Sequence, residues 1–143
     1  MGRPADPDFD QQEKLYHRFE KLQKASDGKF YPASIRFPDF SVNRERYSKP
    51  EDVLYPNYKG LGIVSFKVED LPEPILTGEG SKNETTYTFV PVHDPLEENY
   101  AHSEIRTFKN GHYSKNMDVS KKVKFKFRTH LANKLNVEKE SEV

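Results

Sequence analysis

Cysteine is absent from this chain of 143 residues, and so is tryptophan. Without a thiol there is no disulfide framework, no Cys-ligated zinc, no iron–sulfur cluster and no cysteine nucleophile. Long apolar runs are missing too. Nothing approaches the roughly 18 consecutive apolar residues of a membrane span, so no membrane partner is expected. The opening residues, Met1 to Asp8, contain no apolar stretch of the secretory kind, which points to a cytoplasmic protein. Met1-Gly2 fits the start of a myristoylation motif, but Asp6 stands where that motif requires Ser or Thr. An excess of either charge is also lacking, with 23 basic and 23 acidic side chains. Apolar residues make up only 34% of the chain and mean hydropathy is −0.95, so the core must be thin.

What the chain does have is aromatic bulk, 10 Phe and 8 Tyr, enough buried area per residue to tip it to a folded state. Its length suits one domain. Residues 1–8 read as a disordered start, 9–136 as a single α+β domain and 137–143 as a polar tail. Asp10 and Glu13 have capping-box spacing, and Leu15, Phe19 and Leu22 recur at i, i+4, i+7. That pattern predicts a helix over residues 10–24, ending near Gly28. Ser48-Lys49-Pro50-Glu51 repeats the capping signature and predicts one or two helical turns.

Period-2 alternation predicts strands over residues 61–69, 85–92 and 101–108. The first two are expected to pair as an antiparallel hairpin covered by the first helix. Phe19, Leu22, Val64, Phe66, Val68, Phe89 and Val90 or Val92 should then form the core. Residues 123–128 alternate like an edge strand, yet Val119, Val123, Phe127, Leu131 and Leu135 are spaced by four throughout. The length of that pattern favours a helix over residues 120–135, with a strand followed by a helix as the alternative. The expected architecture is α+β: a small, mainly antiparallel sheet with an N-terminal and a C-terminal helix.

Charge is segregated along the chain. Residues 109–134 carry eight basic side chains and one acid, Asp118, whereas residues 79–104 carry six acids and one lysine. Lys121, Lys122, Lys124, Lys126 and Arg128 form a candidate basic face able to steer a polyanion or an acidic partner. The simpler alternative is the wet face of an amphipathic helix.

Two clusters could carry chemistry. Arg36, Ser41, Asn43 and Arg44 place two guanidiniums beside a hydroxyl and an amide, the usual equipment for holding a phosphate or carboxylate. The alternative is a turn in which Ser41 and Asn43 bond their own backbone and Arg44 pairs with Glu51 or Asp52. The second cluster runs from His93 to Glu104. His93 and His102 could exchange protons as general acid and base without a metal, and Asn99 could position a ligand. No spacing here is diagnostic of a metal, and no cofactor motif occurs.

The stretch His93-Asp94-Pro95-x-x-x-Asn99-x-x-His102-Ser103-x-Ile105, with Ser41-x-Asn43-Arg44 upstream, resembles a family of small uncharacterised prokaryotic proteins with an H-D-P-x-x-x-N-x-x-H core. Members of such families often sit among genes of defence or conflict systems. The resemblance implies an accessory or effector protein and carries no activity with it.

Two functions compete. One is a metal-independent RNase-like effector, with His93 and His102 catalytic, Arg36 and Arg44 on the phosphate, and the basic face guiding RNA or another phosphate-bearing ligand. The other is a non-catalytic adaptor or binding subunit of a larger complex, with a protein partner held by aromatics such as Tyr55, Tyr58, Tyr100 and Tyr113. If His93, His102 and Arg36 or Arg44 share one pocket, the enzyme gains; if they scatter, the adaptor gains.

Overall fold

The computed structural model describes residues 3–54 and 58–143, so Tyr55 lies outside the described residues. In chain order the elements are β1 (Lys14–Phe19), β2 (Asp39–Arg44), α1 (Pro50–Leu54), β3 (Gly62–Lys67), β4 (Ile75–Thr77), β5 (Thr85–His93), β6 (His102–Lys109), α2 (Lys121–Ala132) and β7 (Asn136–Lys139), with short 3-10 turns between them. The strands form one sheet in the order β4-β5-β6-β2-β1-β3-β7, antiparallel throughout. No helix among the described residues is long and apolar enough to cross a membrane.

The N-terminal helix is replaced by a strand. Leu15 and Phe19 are four apart, a spacing that fits both a helical turn and alternate positions of a strand. Leu22 separates the two cases: it lies 87% exposed, while Leu15, at 0%, and Phe19, at 3%, are buried in the sheet. The hairpin expected between residues 61–69 and 85–92 is not formed either. Both edges of β5 are taken by β4 and β6, and both edges of β3 by β1 and β7. Val90 is exposed and Val92 only half-buried, whereas Val64, Phe66, Val68 and Phe89 are core. Residues 137–139, read as polar tail, extend with Asn136 as a strand that pairs with β3 through Val64↔Val137 and Ser65↔Asn136. Main-chain bonds need no apolar side chains, and Lys14 and Ser65 both reach Glu138, at 2.9 and 3.0 Å.

The C-terminal helix forms over Lys121–Ala132, shorter than the expected 120–135, so Leu135 lies beyond it. Ser120 caps it by accepting the Val123 N–H at 3.3 Å, and Val123, Phe127 and Leu131 are buried against one face of the sheet. Phe127 meets Phe89 and Phe37 at 4.7 and 5.4 Å. A smaller cluster of Tyr16, Val53, Leu54 and Ile63 seats α1 on the opposite face.

One irregularity positions the site. The β1–β2 ladder has only two pairs, Leu15↔Arg44 and Tyr16↔Asn43. Beyond them β1 stays with β3 as far as Phe19↔Gly62, while β2 stays with β6 as far as Asp39↔Arg106. The two halves of the sheet therefore part after Asn43. Gly62 helps hold β1 to the β3 side, because a Cβ there would overlap the Phe19 ring and lie 2.7 Å from the Ser141 nitrogen.

Candidate functional site

The parting of β1 and β2 leaves a cleft. A recess of about 80 Å³ is lined by Tyr16, His17, Arg18, Ser41, Val42, Asn43 and His102. A wider recess of about 470 Å³ is lined by Arg36, Phe37, Asp39, Glu104 and Arg128, and Ser41 borders both.

His17 explains why the strands can separate without leaving a carbonyl stranded. Its Nδ1–H donates to the Ser41 carbonyl at 2.8 Å, replacing a ladder bond, and its ring packs on Phe40 at 4.1 Å. Burial, helped by the nearby Arg18 and Arg36 charges, pushes its pKa down to about 4. His102 is pinned in the same manner, Nδ1–H to the Asp94 carbonyl at 2.8 Å, which leaves Nε2 as an acceptor. Asn43 stands across from His102 in the β2–β6 ladder and accepts the Asn99 amide at 2.6 Å.

The charges of the wide recess are unevenly partnered. Glu104 accepts Arg106 Nε at 2.9 Å, and Asp39 accepts the Tyr113 hydroxyl at 2.9 Å. Burial, with the Asp39 carboxylate, pushes that phenol up to about 12. Arg128 gives Nε to the Ile35 carbonyl at 2.7 Å, and neither it nor exposed Arg36 forms an ion pair among the described residues. Two guanidiniums thus border a cleft whose carboxylates are already engaged elsewhere.

The remaining expected residues lie apart from this cleft. His93 pairs with Ser103, the neighbour of His102, so the two imidazoles project from opposite faces of the sheet. His93 is 5% exposed; its Nδ1 accepts the Asp6 N–H at 2.8 Å and its Nε2–H donates to the Tyr100 carbonyl at 2.6 Å. Arg44 is fully buried. It makes a two-pronged pair with Glu13, at 3.0 and 2.9 Å, and donates to the carbonyls of Asp6 and Asp8, at 2.8 and 2.6 Å. Its partner is therefore Glu13 rather than Glu51 or Asp52.

Lys121, Lys122 and Lys126 are exposed on α2, with Lys124 and Arg128 partly so. Phe125, 66% exposed, stands among them. It borders a largely apolar groove of about 370 Å³ that runs between Lys121, Lys124 and Arg128 on one side and Pro32 and Ala33 on the other. Arg128 borders both this groove and the wide recess. Of the tyrosines, Tyr58 is exposed under the Arg18 guanidinium at 3.6 Å, while Tyr100 and Tyr113 are half-buried and bonded.

Comparison with protein-family models, curated proteins and solved structures finds no match. The geometry alone carries the reading. Among the described residues no three His, Asp or Glu side chains gather to hold a metal. Sequence reasoning missed His17, Arg18 and Phe125. The first two were hidden by the helical reading of β1, and Phe125 by the absence of an apolar neighbour at helical spacing.

Proposed function

We propose that the protein is a non-catalytic RNA-binding subunit of a larger assembly, gripping a single strand along α2 and the cleft beside it. The observation that carries this reading is the exposed Phe125, set in a lysine ridge that leads to the guanidiniums of Arg36 and Arg128, which form no ion pair among the described residues. A basic track supplies affinity for any phosphate backbone, and an exposed aromatic ring supplies a stacking platform for a base. Ser41 and the His102 Nε2 add a donor and an acceptor where the cleft narrows. The separation of His93 from His102 favours binding over cleavage, since an acid and a base must reach the same phosphodiester. A role beside defence systems would suit such a subunit and stays part of the proposal.

The test is fluorescence anisotropy with a labelled single-stranded RNA, read across a salt series. Phe125→Ala is expected to weaken binding about tenfold, in line with the roughly 1–3 kcal/mol of one base stack. Arg36→Ala should reduce the slope of log K against log salt by about 0.7, the share of one phosphate on a single strand. The RNA should be recovered intact with and without EDTA. Binding that ignores both substitutions overturns the proposal, and cleavage lost in His102→Ala replaces it with the enzyme.

A further inference from the structure

Residues 3–9 have no helix or strand, yet they lie across a set of side chains far more specialised than an irregular segment needs. The Asp6 carboxylate accepts the Tyr47 hydroxyl and faces Arg46 Nη1 at 3.3 Å and Arg44 Nη1 at 3.7 Å. Its carboxyl is held below the ordinary range, first by the Tyr47 hydroxyl, then by the Asp8 N–H and the two arginines. Its own N–H donates to His93 Nδ1. Three residues earlier the planar Arg3 guanidinium lies 3.9 Å from the Tyr100 ring centre and 5.4 Å from that of Tyr47. Tyr47 and Tyr100 meet edge to face at 4.9 Å, and Tyr47 stacks on His93 with rings 6° from parallel. An anion pocket therefore adjoins an aromatic corner, and a carboxylate fills the first while a flat cation fills the second.

We propose that this is a nucleotide site occupied in cis, with residues 3–8 standing in for a nucleoside monophosphate. Asp6 occupies the position of the phosphate against Arg46, Tyr47 and the Nη1 of Arg44, which Asp6 engages through both its carbonyl and its carboxylate. Arg3 occupies the position of the base against Tyr100. The site itself is built on the sheet: Arg44 ends β2, Arg46 and Tyr47 follow in the next turn, and His93 ends β5. The strap is the replaceable part, since Arg3, Pro4, Ala5, Pro7 and Asp8 are all exposed and residues 3–6 are held by hydrogen bonds, ion pairs and the Arg3 cation over Tyr47 and Tyr100. Phe9, stacked on the Arg44 guanidinium at 3.7 Å, would keep the strap tethered after it lifts. Because strap and nucleotide compete, the apparent affinity is the intrinsic one multiplied by the fraction of molecules with the strap lifted. The site lies apart from the α2 ridge and does not depend on the RNA reading.

The experiment is an equilibrium titration of the full chain with fluorescently labelled AMP. Arg3→Ala combined with Asp6→Ala is expected to bind at least tenfold more tightly than the unaltered protein. Adding Arg46→Ala to that variant should remove the gain. Asp6→Asn keeps the strap's backbone bonds and its shape, so it tests the same point if the double variant folds poorly, and it should bind severalfold more tightly. Inorganic phosphate should displace the labelled AMP far less effectively than unlabelled AMP does. No gain in either variant, a gain that survives Arg46→Ala, or equal displacement by phosphate alone overturns the proposal.

Discussion

His17 makes the fold sensitive to acid in a window that can be stated beforehand. Part of the residue reaches solvent, but its ring is packed on Phe40 and its Nδ1–H replaces a ladder bond to Ser41. Its ordinary pKa of 6.5 falls to about 4 in the folded chain. Between those values the unfolded chain binds the proton and the folded chain does not, so stability rises with pH across the window and is lost as pH falls through it. At pH 5 nearly all unfolded chains carry the proton at this position, against about a tenth of folded ones, which costs about 2 kcal/mol relative to pH 7. Urea unfolding at pH 7 and pH 5 reads the loss directly. Other groups also titrate, so the comparison is with His17→Gln, whose side-chain amide can still donate to Ser41 but cannot take up a proton. The unaltered protein should lose about 2 kcal/mol more than His17→Gln between the two pH values. Equal losses would refute the burial argument.

Three further outcomes follow from the packing. Arg44→Ala leaves the Glu13 carboxylate buried without its partner and should lower unfolding free energy by about 3–5 kcal/mol in denaturant titration. Gly62→Ala should cost about 1–3 kcal/mol in the same measurement, because the added methyl group overlaps the Phe19 ring. Leu22→Ser should change stability by no more than about 0.5 kcal/mol, since that side chain is exposed; a loss near 2 kcal/mol would restore the helical reading of the N-terminal segment.

Much of the secondary structure was legible in the sequence alone. The four-residue spacing from Val119 to Leu135 favours a helix by its length while the alternation of residues 123–128 keeps a strand open, and the structure decides for a helix over Lys121–Ala132. The alternation in β3, β5 and β6 marks each as a strand, and for β6 the structure turns Ser103, Ile105 and Thr107 inward. Leu15 and Phe19 admit two, because a spacing of four satisfies a helix and a strand alike, and only the exposure of Leu22 separates them. β7 could not be foreseen, since it is held by main-chain bonds to β3 and side-chain contacts to Glu138 from residues far away in sequence.

The candidate sites divide along the same line. The sequence by itself determined which chemical groups are present: the imidazoles, the guanidiniums and the lysine ridge. The tertiary structure decided which of them meet. Asn43 stands beside His102 through the β2–β6 register, Arg44 closes on Glu13, and His93 turns to the face opposite His102. The physical reason is that periodicity is a property of neighbouring residues, whereas pairing depends on which strand edges remain free. Register then sets the face of every side chain, and a shift of one residue would reverse them all.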